Sequence, residues 1–201
     1  MTISIGIFMF DKVEVLDFAG PFEVFTTAAR VAKASQGENT RVFEVFTISR
    51  DGKPVKARGG LVVQPAYSFA NQPLVDVLLI PGGVVSAELA RPEVIQWIQR
   101  TNNGTQLTAS VCTGAMLLGK AGLLDRLSAT THWEDTAELQ SLFTKVKVVS
   151  GVRWVDQDAI VTSAGISAGI DMSLHLVERL VSRELAELTA RQMEFDWTEN
   201  R

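Results

Sequence analysis

Three short runs of this chain are built from apolar and β-branched residues with little of the polar alternation that a water-facing strand shows. They cover residues 4–10, 75–80 and 106–111. Such runs are read as strands buried on both faces, which in a soluble chain means a parallel sheet covered by helices. The segments between them repeat their apolar residues at helical spacing. Residues 16–32 place Val24, Phe25, Ala28, Ala29 and Ala32 on one stripe, with Pro21 read as lying near the helix start. Further helices are expected over 92–100, 134–143, 166–182 and 185–195. Additional strands are expected over 42–48, 61–63, 146–149, 152–155 and 160–162, with Asp156-Gln-Asp158 as a turn between the last two. The expected fold is therefore α/β, a doubly wound, mostly parallel sheet flanked by helices. At 201 residues, without repeats or a linker, the chain is expected to form one domain over 1–201.

In such sheets ligands bind beyond the carboxyl ends of the strands. Three loops fall there: the one after Phe10, Pro81-Gly82-Gly83, and Cys112-Thr113-Gly114. Cys112 is the sole cysteine. It stands between a buried strand and a helix, with Gly114 allowing a sharp turn. Two readings apply to it: a small buried hydrophobe, or a nucleophile beside a helix N-terminus whose positive end lowers the thiol pKa. The Thr113 and Gly114 amides would lie beside the sulfur, suited to an anionic intermediate.

Asp17 is one acid in an apolar stretch. It is either a helix N-cap or, if the loop after the first strand adjoins the cysteine strand, a half-buried proton carrier facing Cys112. Gly82 and Gly83 form either a plain turn or an oxyanion site. His132 is either structural or a base or orienter for the cysteine. His175 falls in an apolar helical pattern and reads as structural. One cysteine and two histidines at these spacings make no metal site. No GxGxxG or phosphate-loop pattern occurs, so no nucleotide cofactor is expected.

A net charge of −4 without basic runs argues against nucleic acid as the main partner. The longest apolar stretches are too short for a bilayer, and the N-terminus lacks a signal-peptide pattern. A lone cysteine gives no internal disulfide, so a cytoplasmic home is expected.

Five blocks together resemble the ThiJ/PfpI superfamily, relatives of class I glutamine amidotransferases. They are Leu16-Asp-Phe-Ala-Gly-Pro21, Ile80-Pro-Gly-Gly83, Ser110-Val-Cys-Thr-Gly114, Ala129-Thr-Thr-His-Trp133 and the segment from Thr162 to Asp171. The resemblance implies a flavodoxin-like fold and a homodimer. The protease branch carries a histidine directly after the cysteine, where this chain has Thr113. The glyoxalase and deglycase branch usually carries glutamate at the position of Asp17. Asp17, Cys112, Thr113 and the Thr-Thr-His-Trp block look most like the isocyanide hydratase branch, and are also similar to the sensory domain of some AraC-type regulators. The chain ends at Arg201 without the helix-turn-helix of those regulators, which sets the expectation toward the enzymes. It also ends earlier than isocyanide hydratases commonly do.

The resemblance implies a cofactor-free reaction on a small apolar substrate. Cys112 attacks the isocyanide carbon, Asp17 moves the proton, Thr113 bonds near the sulfur or substrate, Gly83 contributes an amide, and the Ile166 turn packs against the cysteine. The other readings are a redox or small-molecule sensor and glyoxalase-type chemistry on reactive aldehydes.

Overall fold

The computed structural model describes residues 2–200. Eleven strands and seven α-helices follow one another among the described residues. The strands are β1 (Ile3–Met9), β2 (Phe43–Ser49), β3 (Val55–Lys56), β4 (Val62–Val63), β5 (Tyr67–Ser68), β6 (Val77–Ile80), β7 (Leu107–Val111), β8 (Ser128–Ala129), β9 (Lys147–Val148), β10 (Trp154–Gln157) and β11 (Ile160–Ser163). The helices are α1 (Val15–Gln36), α2 (Ser86–Leu89), α3 (Pro92–Asn102), α4 (Gly114–Lys120), α5 (Thr136–Leu142), α6 (Ala168–Leu180) and α7 (Arg183–Gln192).

Seven strands form one sheet in the order β10-β11-β7-β6-β1-β2-β5. Every neighbouring pair is parallel except β10 with β11. The chain steps from β1 outward to β2, then returns to the other side of β1 with β6. This reversal makes the junction of β1 and β6 a switch point, where a crevice opens at the carboxyl ends. Two groups of helices flank the sheet. α1, α6 and α7 pack on one another, and α2, α3 and α5 gather around α4. The two short pairs, β3 with β4 and β8 with β9, stand outside the main sheet.

The apolar runs behave as their composition dictates. Val77, Leu78, Leu79 and Ile80 are all fully buried, as are Ile5, Ile7 and Phe8. Four local expectations needed revision. α1 runs on to Gln36, because nothing in 33–36 breaks it before Gly37 turns left-handed at φ 110°. Pro21 is consequently a buried interior residue of α1, not one at its start. It has no N–H to give the Asp17 carbonyl one turn earlier. β10 takes in Asp156 and Gln157, so the hairpin turn falls at Asp158, whose φ is 61°. α6 begins only at Ala168, because Ile166 takes a left-handed φ of 55°. Among the described residues no helix is long and apolar enough to cross a membrane.

Gly114 is where packing tolerates no side chain. A Cβ there would overlap the Ile80 carbonyl oxygen. Gly114→Ala should therefore destabilise the fold by about 3 kcal/mol or prevent folding. Urea unfolding measures this, and an unchanged midpoint would contradict the close approach of α4 to β6.

Candidate active site

β7 ends at Val111, α4 begins at Gly114, and Cys112 makes the bend between them with φ 56°. A residue with a side chain in this region is strained, and it persists only where neighbours fix it. Three contacts do so. The Cys112 amide donates to Ser163 O at 3.2 Å. Its carbonyl accepts from the buried Thr131 hydroxyl at 2.8 Å. It also accepts from the Ala115 amide at 3.3 Å. Thr131 is a site residue that sequence reading missed. It sits in the Thr-Thr-His-Trp block that drew notice for His132, and its signal was the hydroxyl beside that histidine.

Asp17 lies in the first turn of α1 and is fully buried. It does not cap the helix; the N-cap position belongs to Glu14. Its carboxylate crosses to the next loop, where Oδ2 accepts from the Gly82 amide at 3.0 Å. Oδ1 is buried without a formed hydrogen bond. The Cys112 thiol and the Ile166 amide are close enough to the same carboxyl group to act on its charge, without a formed hydrogen bond. Gly82 is squeezed at this junction: a Cβ on it would come within 2.8 Å of Asp17 Oδ2 and 2.6 Å of the Thr113 nitrogen.

Burial pushes the Asp17 carboxyl up to about 7, and the charge of Glu14 adds to the push. The Gly82 amide, the Cys112 thiol and the Ile166 amide pull it partly back. Burial likewise pushes the Cys112 thiol up to about 12, with the negative charges of Asp17 and Asp135 acting the same way. The Thr113 amide and hydroxyl oppose them. This direction is opposite to the helix-lowered thiol that one of the two readings of Cys112 offered. α4 is a helix of seven residues that starts beyond the cysteine, and Cys112 is only 7% exposed beside an acid. Desolvation and the carboxylate outweigh so short a dipole. At neutral pH the resting cysteine is a thiol, and Asp17 is the group poised to take its proton.

Thr113 binds the two loops together. Its hydroxyl donates to the Gly83 carbonyl and accepts from the Gly83 amide, both at 2.9 Å. The Gly82 and Gly83 amides, expected as oxyanion donors, are therefore already engaged by Asp17 and Thr113. Gly114 serves the close packing of α4, while the Thr113 amide is the one that faces the sulfur.

A cavity of about 230 Å3 opens over the cysteine, bordered by Thr113, Gly83, Ile166 and His132. Its mouth also carries Glu14, Arg58, Glu134 and Asp135, and Arg58 pairs with Glu14 at 3.0 Å. This lining is more polar than the apolar surroundings expected from sequence. His132 turns Nδ1 toward its own loop, accepting from the Glu134 amide at 3.4 Å and lying 3.6 Å from Asp135 Oδ2. It borders the cavity without a hydrogen bond to Cys112. His175 is remote, bonded to Asp156 at 2.7 Å and stacked on Trp154. Among the described residues no three His, Cys, Asp or Glu side chains converge to hold a metal ion.

Comparison with known proteins gives this geometry its context. The sequence pattern of the DJ-1/PfpI family matches residues 3–179. An isonitrile hydratase of Pseudomonas putida is 33% identical over 97% of this chain and 79% of its own length. The HTH-type transcriptional regulator GbdR of Pseudomonas aeruginosa is 31% identical over 91% of this chain, which spans only 48% of that regulator. A crystal structure of a ThiJ/PfpI family protein from Pseudomonas syringae, 26% identical, superposes with a TM-score of 0.85 over 98% of this chain and 76% of that one. Drosophila melanogaster DJ-1beta shares the fold at a TM-score of 0.82 and 20% identity, over 98% of this chain and all of its own.

The raised Asp17 value has a consequence for stability. Below about pH 3 the carboxyl is protonated in the folded and unfolded chain alike. From there through pH 7 the unfolded chain ionises while the native one holds its proton, so native stability falls as pH rises. Asp17→Asn keeps an oxygen for the Gly82 amide and escapes this loss. It should be more stable than wild type above pH 7, by roughly 4 kcal/mol at most, and equal to it at about pH 3. Denaturant unfolding at the two pH values checks this; an advantage that does not change with pH would contradict it.

Proposed function

The chain belongs to the DJ-1/PfpI family, and on that basis we propose that it is a cofactor-free, cysteine-dependent hydratase that converts isocyanides to N-substituted formamides. The observation that carries the reading is the buried thiol set against a carboxyl group poised at about 7. The 33% identity to an isonitrile hydratase across nearly the whole chain supports it.

The chemistry asks Asp17 to hold a proton briefly and return it. The carboxylate takes the Cys112 proton as the sulfur adds to the terminal carbon of R–N≡C. Asp17 then delivers that proton to the same carbon, leaving the thioimidate R–N=CH–S–Cys112. The carboxylate takes a proton from water as its oxygen adds to the carbon, and Asp17 passes that proton to the nitrogen, giving R–NH–CH(OH)–S–Cys112. The carboxylate then takes the hydroxyl proton and hands it to the sulfur as the C–S bond breaks, so that R–NH–CHO leaves, Cys112 is restored as a thiol and Asp17 as a carboxylate. A carboxyl near neutrality suits both directions of transfer, because neither protonation state is costly to reach. A thiol at about 12 makes attack and proton loss a single coupled event. Thr113 serves by fixing the Gly83 loop and by placing its amide and hydroxyl beside the sulfur.

A second reading is a ligand-sensing module, supported by the 31% identity to a transcriptional regulator and by the polar mouth of the cavity. Oxidative sensing is the less supported form of it, since a buried, protonated thiol is a poor target for oxidants. Glyoxalase-type chemistry is disfavoured by aspartate at position 17. The proposed assembly is a homodimer in the cytoplasm, with exposed Leu16, Val84 and Ile166 as apolar surface available for contact.

Formamide production from simple alkyl isocyanides is the test. Cys112→Ala and Asp17→Asn should each lose activity by about a thousandfold or more with the fold intact. Thr113→Val leaves the Gly83 amide and carbonyl unpaired, and should cost about 1–3 kcal/mol of stability along with part of the activity. Turnover retained in Asp17→Asn would sink the mechanism. A wild type that binds isocyanides without turnover would favour the sensing module.

A further inference from the structure

The turn over the reactive pair is itself strained. Ile166 is β-branched and half-exposed, yet takes φ 55°, a conformation that such residues avoid unless held. It borders the cavity above Cys112, and its amide faces the Asp17 carboxyl. Gly165 before it presses on the His132 ring, leaving no room for a Cβ.

One residue grips both ends of this turn. The Arg153 carbonyl accepts from the Ala164 amide at 2.9 Å, on the near side. The Arg153 guanidinium donates to the Ser167 hydroxyl at 3.2 Å, on the far side. Arg153 is itself fixed from two directions. Its guanidinium pairs with Asp171, a fully buried carboxylate on α6. Its amide donates to Asn200 Oδ1 at 2.9 Å, and the Thr198 amide donates to Asp171 Oδ1 at 2.8 Å. Residues 198–200 thus tie down the same cluster.

We propose that Arg153 is a positioning residue for the Cys112–Asp17 pair: by bracketing the turn at Gly165 and left-handed Ile166 it holds the Ile166 amide toward the Asp17 carboxyl and fixes one wall of the cavity over Cys112. The inference rests on the reading that Asp17 accepts the Cys112 proton. It does not depend on which substrate the cysteine attacks. An amide donor favours the ionised carboxylate, so releasing the turn makes Asp17 harder to ionise. The other charged and titratable groups around the pair are Glu14 and Arg58 at the lip and His132, Glu134 and Asp135 on the opposite wall. Substitutions at Ser167 and Arg153 leave all of them in place.

The test is the rate of Cys112 alkylation by iodoacetamide as a function of pH, in the full chain. In wild type the rate should rise with an inflection near pH 7 that Asp17→Asn removes. Ser167→Ala deletes only the hydroxyl that Arg153 holds. Arg153→Lys keeps a positive charge for Asp171 but loses the planar fork. Both should move the inflection upward, slowing alkylation at pH 7 by about threefold, without a matching loss in thermal stability. Should Arg153→Lys not fold, Ser167→Ala decides alone. An inflection that stays at the wild-type pH in folded Ser167→Ala would overturn the positioning role while leaving the pair intact. A wild-type profile without the Asp17 inflection would overturn both.

Discussion

A carboxylic acid and a thiol are buried against each other in this molecule, and each makes the other's charge more costly. Water would normally solvate both. Here Asp17 has one amide on Oδ2 and no formed hydrogen bond on Oδ1. The pair can therefore carry at most one negative charge at ordinary pH, and that charge belongs first to the carboxyl. The surrounding architecture keeps this arrangement fixed. The Gly82 loop gives the single amide, Thr113 locks that loop, and the Ile166 turn closes the far side.

Holding such a pair requires backbone that ordinary elements do not supply. Two residues with side chains, Cys112 and Ile166, are left-handed at facing ends of β7 and β11. The parallel pairing of those strands brings the two bends together, and the Cys112 amide reaches Ser163 O across the gap. Strain is placed at the strand ends, where the sheet gives way to loops, while the fully apolar strands behind supply the stability that tolerates it.

Much of this was legible in the chain. Continuous apolar strands separated by helical spacing specify the doubly wound sheet, because a strand without polar alternation has no face for water. The strand–cysteine–helix order places Cys112 at the sheet edge, while the position of Asp17 after the first strand leaves it open between a helix N-cap and a partner of the cysteine; the structure decides this with β6 between β1 and β7 and the Asp17 carboxyl crossing to the Gly82 loop. What escaped was set by three-dimensional neighbours. The direction of the Cys112 pKa is not legible in the chain, because a helix N-terminus is visible in sequence and desolvation is not. The glycine amides looked free because nothing in Ile80-Pro-Gly-Gly83 announces that Asp17 and Thr113 already occupy them. The left-handed Ile166 has no sequence signature, since the residue type argues against it. Pro21 reads as lying near a helix start because a proline inside a helix is the exception.

The central claim is that the resting cysteine is a protonated thiol whose proton Asp17 is poised to accept. Ultraviolet absorbance of the thiolate, followed against pH and corrected with Cys112→Ala, tests it most directly. The account predicts no thiolate signal at about pH 8, with the rise deferred to strongly alkaline solution. A full thiolate step completed by about pH 7 would contradict it.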